Sequence, residues 1–210
     1  MSEQLFQGCL SQDNLSEAYV HLTEVLSGSA FLSNQGLNND IPFHICPFDP
    51  TLSSEVALLV RQLTNYLKTP EVKKQVLEIN LYDQVVNILK REGDWEWFLG
   101  NEHTLSSAEL KEELQSILDV ETVMVPEISG QMAASAFDVL FVTGVGEVFP
   151  YIRSHNILNN LQPFAKEKPT LMFFPGTYQH SLDKGASLDL FGLITDDKYY
   201  RAFNILDRAI

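Results

Sequence analysis

The sequence predicts an α/β fold: a layered domain with a central, mostly parallel sheet flanked by helices. Three observations predict it. Val139-Leu140-Phe141-Val142 and Thr170-Leu171-Met172-Phe173-Phe174 are short apolar runs with no polar alternation, which suits strands covered on both faces. Helical apolar stripes alternate with such short strands along the chain. The first run breaks at Gly144-Val145-Gly146 and resumes at helical spacing, and in open α/β sheets ligands bind at such strand ends.

From the amino terminus, Leu15, Ala18, Tyr19, Leu22, Val25 and Leu26 mark a first helix ending near Gly28. A loop rich in turn formers, residues 33–40, leads to a short strand over 41–46, closed by Pro47, Asp49 and Pro50. Val56, Leu59, Val60, Leu63, Tyr66 and Leu67 form the buried stripe of a second helix. Val76 to Asn80 reads as a strand and Tyr82 to Leu89 as the helix after it, with Gly93 marking its end. Ser106 and Glu109 form a capping box at the start of a helix whose apolar face is Leu110, Leu114, Ile117 and Leu118. Beyond the Gly144-Gly146 turn, Val148, Ile152, Leu158 and Leu161 predict a helix with Arg153, His155, Asn156 and Asn160 on its polar face. Pro150 agrees with a helix start. The strand over 170–174 is expected to end at Pro175-Gly176, with a further short strand over 188–193 and a terminal helix over 198–209.

Length bounds the organisation. A chain of 210 residues, without a Pro-, Gly- or Ser-rich linker or an internal repeat, is expected to form one domain, 1–210. Hydrophobic residues at 45% and charged residues at 20% are ordinary globular values, so wholesale disorder is excluded. The 28 acidic against 14 basic residues give a net charge of −14, spread along the chain. Direct nucleic-acid binding by the isolated chain is disfavoured, because that affinity comes mainly from Lys and Arg displacing counterions. The charge instead suits solubility and docking onto a basic subunit. The amino terminus lacks the pattern of a secretory signal, and no apolar run approaches the roughly 20 residues that span a bilayer, so a cytoplasmic location is expected. Cys9 and Cys46 lie far apart outside any C-x-x-C pattern, and are read as reduced thiols with no zinc site.

The candidate functional turn comprises Gly144, Gly146, Glu147, Arg153, His155 and Asn156. A phosphate site there would need free backbone N–H groups and a neutralising Lys. This turn has no Gly-Lys and no third glycine, and Glu147 places a carboxylate where the phosphate would sit. Close helix-strand packing at the glycines, with Glu147 capping the helix, is the preferred reading over nucleotide binding. His155 is the best candidate for a reactive side chain, yet no carboxylate is fixed beside it by spacing. No hydrolase, metalloprotease, P-loop or calcium-loop motif is present, so no catalytic residue, metal ligand or cofactor is assigned. Trp95 and Trp97 are expected to form a satellite core, with partner docking as the alternative. Asp196-Asp197 is read as a turn and helix cap. Phe203 is expected in the core, with Tyr199, Tyr200 and Arg201 beside it.

Four stretches resemble the BrxB family, a core component of BREX bacteriophage-exclusion systems. They are FLSNQGLNNDIPFHICPFDP, INLYD, DVLFVTGVGEVFPYIRSHNILNNLQ and FFPGTYQHSLDKGASLDLFGLITDDKYYRAF. The resemblance runs from about Phe31 to the carboxyl terminus, and residues 93–136 contribute little to it. It implies a bacterial cytosolic protein that acts with other BREX subunits against phage, as a non-catalytic adaptor whose first expected partner is PglZ. It carries over no catalytic residue. A ligand- or nucleotide-sensing protein using the Gly144-Gly146 turn is the alternative.

Overall fold

The computed structural model describes residues 6–32, 43–165, 168–181, 185–192, 194–196 and 202–208. Helix α1 spans Leu15–Ser27 and is followed by a one-turn helix, Ser29–Leu32. Strand β1, Phe43–Phe48, leads into α2, Ser53–Leu67. Then come β2, Val76–Asn80, and α3, Leu81–Glu92, which ends on Gly93 in the left-handed conformation (φ 90°). Three further helices follow: α4, Trp95–Asn101; α5, Ser107–Ile117; and α6, Val125–Ala134. The capping box predicted at Ser106 and Glu109 is formed. Strand β3, Val139–Thr143, helix α7, Ser154–Leu161, and β4, Thr170–Ser181, complete the central motif. The chain closes with β5, Gly185–Leu190, β6, Ile194–Asp196, and β7, Phe203–Asn204.

The α/β fold class is as the sequence predicts. The strands lie in the order β2-β3-β4-β1-β7, every neighbouring pair parallel. Successive residues of a strand point to opposite faces, so each unbroken apolar run feeds two cores. Phe141 and Phe173 pack edge to face, ring centroids 5.5 Å apart, in the layer under α1 and α2, with Leu22, Leu26, Val60 and Leu63. Leu140, Val142, Met172 and Phe174 face the opposite layer, where Val85, Ile88, Ile128 and Leu158 cover them from α3, α6 and α7. The crossover from β1 to β2 carries α2 on one face, and those from β2 to β3 to β4 carry α3 to α7 on the other.

Several boundaries differ from expectation. Strand β1 continues through Pro47 to Phe48, paired with Phe174 and Pro175 of β4, while Ile41, Pro42 and the 33–40 loop lie outside the described residues. Strand β4 does not stop at Pro175-Gly176. It passes from the parallel sheet into an antiparallel ladder with β5, with Gly176 opposite Leu190. Gly176 is required there because a Cβ would collide with the Asp189 carbonyl. The strand expected over 188–193 is β5, which begins earlier and ends at Leu190.

No terminal helix covers 203–207. Phe203–Asn204 adds a strand beside β1, and a 3-10 turn, Ile205–Asp207, follows, its start capped by the Asn204 side chain accepting from Leu206 N at 3.1 Å. Phe203 is exposed at 38%, not core. Residues 197–201, including Tyr199, Tyr200 and Arg201, lie outside the described residues, and Asp196 ends β6 and caps no helix among them. The tryptophans divide: Trp95 packs against the core with Lys90 Nζ 5.3 Å over its ring, whereas Trp97 is 47% exposed. Among the described residues no helix is long and apolar enough to cross a membrane.

Candidate functional site

The carboxyl ends of β1 to β4 open into a cleft of about 420 Å³. It lies between the first two turns of α2 and the Gly144-Glu147 turn, with Phe191 from the β5–β6 turn at its mouth. Side chains of Phe48, Val56, Val60, Phe173 and Pro175 give it an apolar floor. Arg61, Glu78 and Glu147 supply its charge.

The two glycines of the turn are explained by close packing. Gly144 sits at φ 71°, and a Cβ there would strike the side chain of Asn80 and lie 3.1 Å from Leu81 N. Asn80 is held in place because its Oδ1 caps α3, accepting from Tyr82 N at 2.9 Å and Asp83 N at 3.2 Å. A Cβ on Gly146 would lie 2.9 Å from Pro175 Cγ and 3.1 Å from the Phe191 ring. The turn therefore nests against α3 on one side and against the β4–β5 hairpin on the other.

The helix does not begin where its apolar spacing predicts. Residues 144–153 form turns, Phe149-Pro150 is a cis peptide bond, and α7 starts only at Ser154. Val148 and Ile152 are buried as expected, but through a single α-turn in which Ile152 N donates to Val148 O at 2.9 Å. Glu147 is consequently an exposed residue of the turn and caps no helix; its carbonyl accepts from the Tyr151 hydroxyl at 3.4 Å. Pro150 starts no helix either.

Of the six predicted site residues, Gly144, Gly146 and Glu147 line the cleft and the other three do not. Arg153 precedes α7, its guanidinium 5.9 Å from the Phe149 ring, and borders a separate small cavity of about 20 Å³ with Val145 and Leu188. His155 is 2% exposed and packs in the buried stripe of α7 with Leu158 and Leu161, contrary to the polar face predicted for it. Asn156 is half-buried, and its carbonyl accepts from Asn160 Nδ2 at 2.9 Å. The cleft residues that sequence reasoning passed over are Arg61, Glu78, Asn80 and Phe191. Glu78 carried a signal, being the one charged residue in the strand 76–80.

The polar groups of the cleft are tied into the fold. Thr143 Oγ1 donates to Glu78 Oε1 at 3.0 Å across the β2–β3 pair, and Asn80 caps α3. Beneath the turn, the Tyr151 phenol is pushed up to about 12, first by burial and then by neighbouring Tyr82 and Glu147, so it holds its proton at neutral pH. The thiols behave likewise: burial, with Asp49 nearby, pushes Cys9 up to about 11, and full burial with Cys9 nearby raises Cys46 further. Among the described residues no group of three or more His, Cys, Asp or Glu is placed to hold a metal ion. Two carboxylates against one guanidinium at the rim oppose a phosphate or other polyanion. The arrangement suits an apolar occupant with a positive charge beside it.

Comparison with known proteins agrees with the resemblance drawn from the sequence. The family model described as "BREX protein BrxB" matches residues 77–205, running through the 93–136 stretch that contributed little to that resemblance. A BREX protein BrxB of Bacillus cereus (strain H3081.97) is 34% identical over 203 residues, covering 92% of this chain and 98% of the relative. A BREX protein BrxB of Escherichia coli O9:H4 (strain HS) is 27% identical over 176 residues, covering 84% of each. No solved structure matches. The chain belongs to the BrxB family and is a component of a BREX phage-defence system.

Proposed function

We propose that this chain is a non-catalytic adaptor of its BREX system, working in the cytoplasm by holding other subunits together, with PglZ as the first partner. The observation that carries this reading is the character of the strand-end cleft. At the place where α/β enzymes keep their reacting groups, the floor is apolar and the polar side chains Asn80 and Thr143 serve the fold's own hydrogen bonds. Exposed Trp97 and Leu99, 47% and 50% accessible on α4, and Leu58, 54% accessible on α2, add apolar surface of the kind interfaces use.

The alternative, nucleotide sensing at Gly144 and Gly146, depends on a helix N-terminus aimed at the phosphates. The chain offers a turn there, with α7 beginning at Ser154 and Glu147 at the rim, so the adaptor reading has the better physical support. Affinity purification of the tagged full chain from cells expressing the whole BREX set tests the proposal. PglZ or another BREX subunit is expected to be retained in fixed ratio through washing and gel filtration. Elution of the chain alone would count against it, and a calorimetric signal with ATP or GTP would favour the alternative.

A further inference from the structure

Phe191 stands out from the rest of the cleft. Its backbone lies at φ 56° and the next residue, Gly192, at φ 67°. A bulky aromatic residue rarely occupies the left-handed region, where Gly, Asn and Asp are at ease, and such strain persists only where surrounding structure holds it. Here Phe191 N donates to Pro175 O at 2.9 Å, and the ring packs against Gly146 and edge-to-face on Phe149, centroids 6.1 Å apart. The outcome is an aromatic ring fixed at the mouth of the cleft and still 36% exposed. An Asn would make the same turn with less strain, so the turn alone does not account for a phenyl group.

We infer that the cleft behind Phe191 is the seat for a short apolar-and-basic segment of another BREX subunit, an inference that rests on the adaptor reading. A large apolar side chain enters between the Phe191 ring and Val56 and Val60 of α2, while an adjacent Lys or Arg meets Glu78 and Glu147. Charge complementarity selects this occupant. Among the described residues neither Glu78 nor Glu147 forms an ion pair, so both carboxylates are available to a cation. A polyanion is opposed by the same pair, and a second copy of this chain brings a net charge of −14 to a rim that is already negative. The volume of about 420 Å³ lies within the range of roughly 300–1,000 Å³ for concave binding sites, room for a segment of a few residues and not merely one side chain.

The test uses the full chain co-expressed with the other BREX subunits, comparing wild type, Phe191→Asn and the double variant Glu78→Gln/Glu147→Gln. Asn suits the left-handed backbone, so Phe191→Asn is expected to melt at or above the wild-type temperature, which separates docking from folding. Partner affinity is expected to fall at least about tenfold for Phe191→Asn, as for an aromatic anchor. The double variant is expected to weaken binding about three- to tenfold at low salt and to flatten its salt dependence. A photo-crosslinking residue placed at Phe191 is expected to capture a peptide of another subunit carrying Lys or Arg within two positions of a large apolar residue. Wild-type retention of partners with both variants binding equally well would overturn the cleft inference while leaving the adaptor reading intact. So would a crosslink to a second copy or to an acidic peptide, or an ATP-dependent melting shift abolished by Phe191→Asn. Failure of wild type to retain any subunit would overturn the adaptor reading and this inference together.

Discussion

Gly144→Ala tests whether the strand-end turn is built by packing. Two effects add. An alanine forced to φ 71° is strained by roughly 1–2 kcal/mol relative to the right-handed or extended regions. Its Cβ also displaces the Asn80 side chain, whose bonds to Tyr82 N and Asp83 N cap α3, and loss of an N-cap costs about 1 kcal/mol. The expected loss is about 2–3 kcal/mol. With a urea m-value of about 2 kcal/mol/M, the unfolding midpoint falls by about 1–1.5 M. The same origin predicts non-additivity: Asn80→Ala alone costs about 1 kcal/mol, but in its presence Gly144→Ala retains only the backbone strain, because the colliding atoms are gone. Urea denaturation of the two single variants and the double variant measures this. A loss below about 0.5 kcal/mol for Gly144→Ala, or strict additivity in the cycle, would refute the reasoning.

Other expectations follow from the same coordinates. Trp97→Ala, on the exposed side of α4, should leave stability within about 0.5 kcal/mol, whereas Phe98→Ala next to it, 6% exposed, should cost about 3–5 kcal/mol by thermal or chemical denaturation. Cys46 should resist iodoacetamide at pH 8 in the folded chain and Cys9 should react slowly, with both labelling at once in denaturant; rapid native labelling of Cys46 would contradict its burial. The Glu109 carboxyl is held below its ordinary 4.5 first by the Ser106 hydroxyl, and the Asp119 carboxyl below its ordinary 3.8 first by the Thr122 hydroxyl. Groups lowered on folding stabilise the native state above their unfolded values and lose that contribution as pH falls through the lowered ones. Stability should therefore hold from neutral pH to about 5 and decline below it, with a shallower decline in Ser106→Ala.

Much of the sheet was readable because burial on both faces removes alternation. Leu140 and Val142 serve one core, Val139 and Phe141 the other, and a run of four apolar residues records both. Capping chemistry was equally plain at Ser106 and Gly93, where the required side chain or backbone conformation belongs to few residue types. The segment after Gly146 was misjudged for a physical reason. Val148 and Ile152 are four residues apart and both buried, as in a helix, but one α-turn produces the same spacing without one. His155 was taken for a polar residue of the helix because a titratable ring looks polar in sequence, whereas the start of α7 at Ser154 turns it toward the sheet with Leu158.

Residues joined by tertiary contacts were beyond local pattern. Phe203–Asn204 is a strand because β1 offers a free edge, and Asn204 Nδ2 reaches Gly8 O, 196 residues away, at 2.8 Å. Phe191 reaches the cleft only because β4 continues past Gly176 and carries the hairpin back over the turn. Nothing in the run Leu190-Phe191-Gly192 reveals that the ring meets Gly146. The glycines of that turn were visible in the sequence and the packing they permit was anticipated, but their neighbours Asn80, Pro175 and Phe191 come from three other parts of the chain.

The adaptor role itself is tested most directly by the native mass of the BREX assembly purified with and without this chain. The account predicts a complex containing this chain and at least two other subunits, which separates into smaller species when the chain is deleted and reforms when purified wild-type chain is added back. An assembly of unchanged mass and composition in the deletion strain would contradict it.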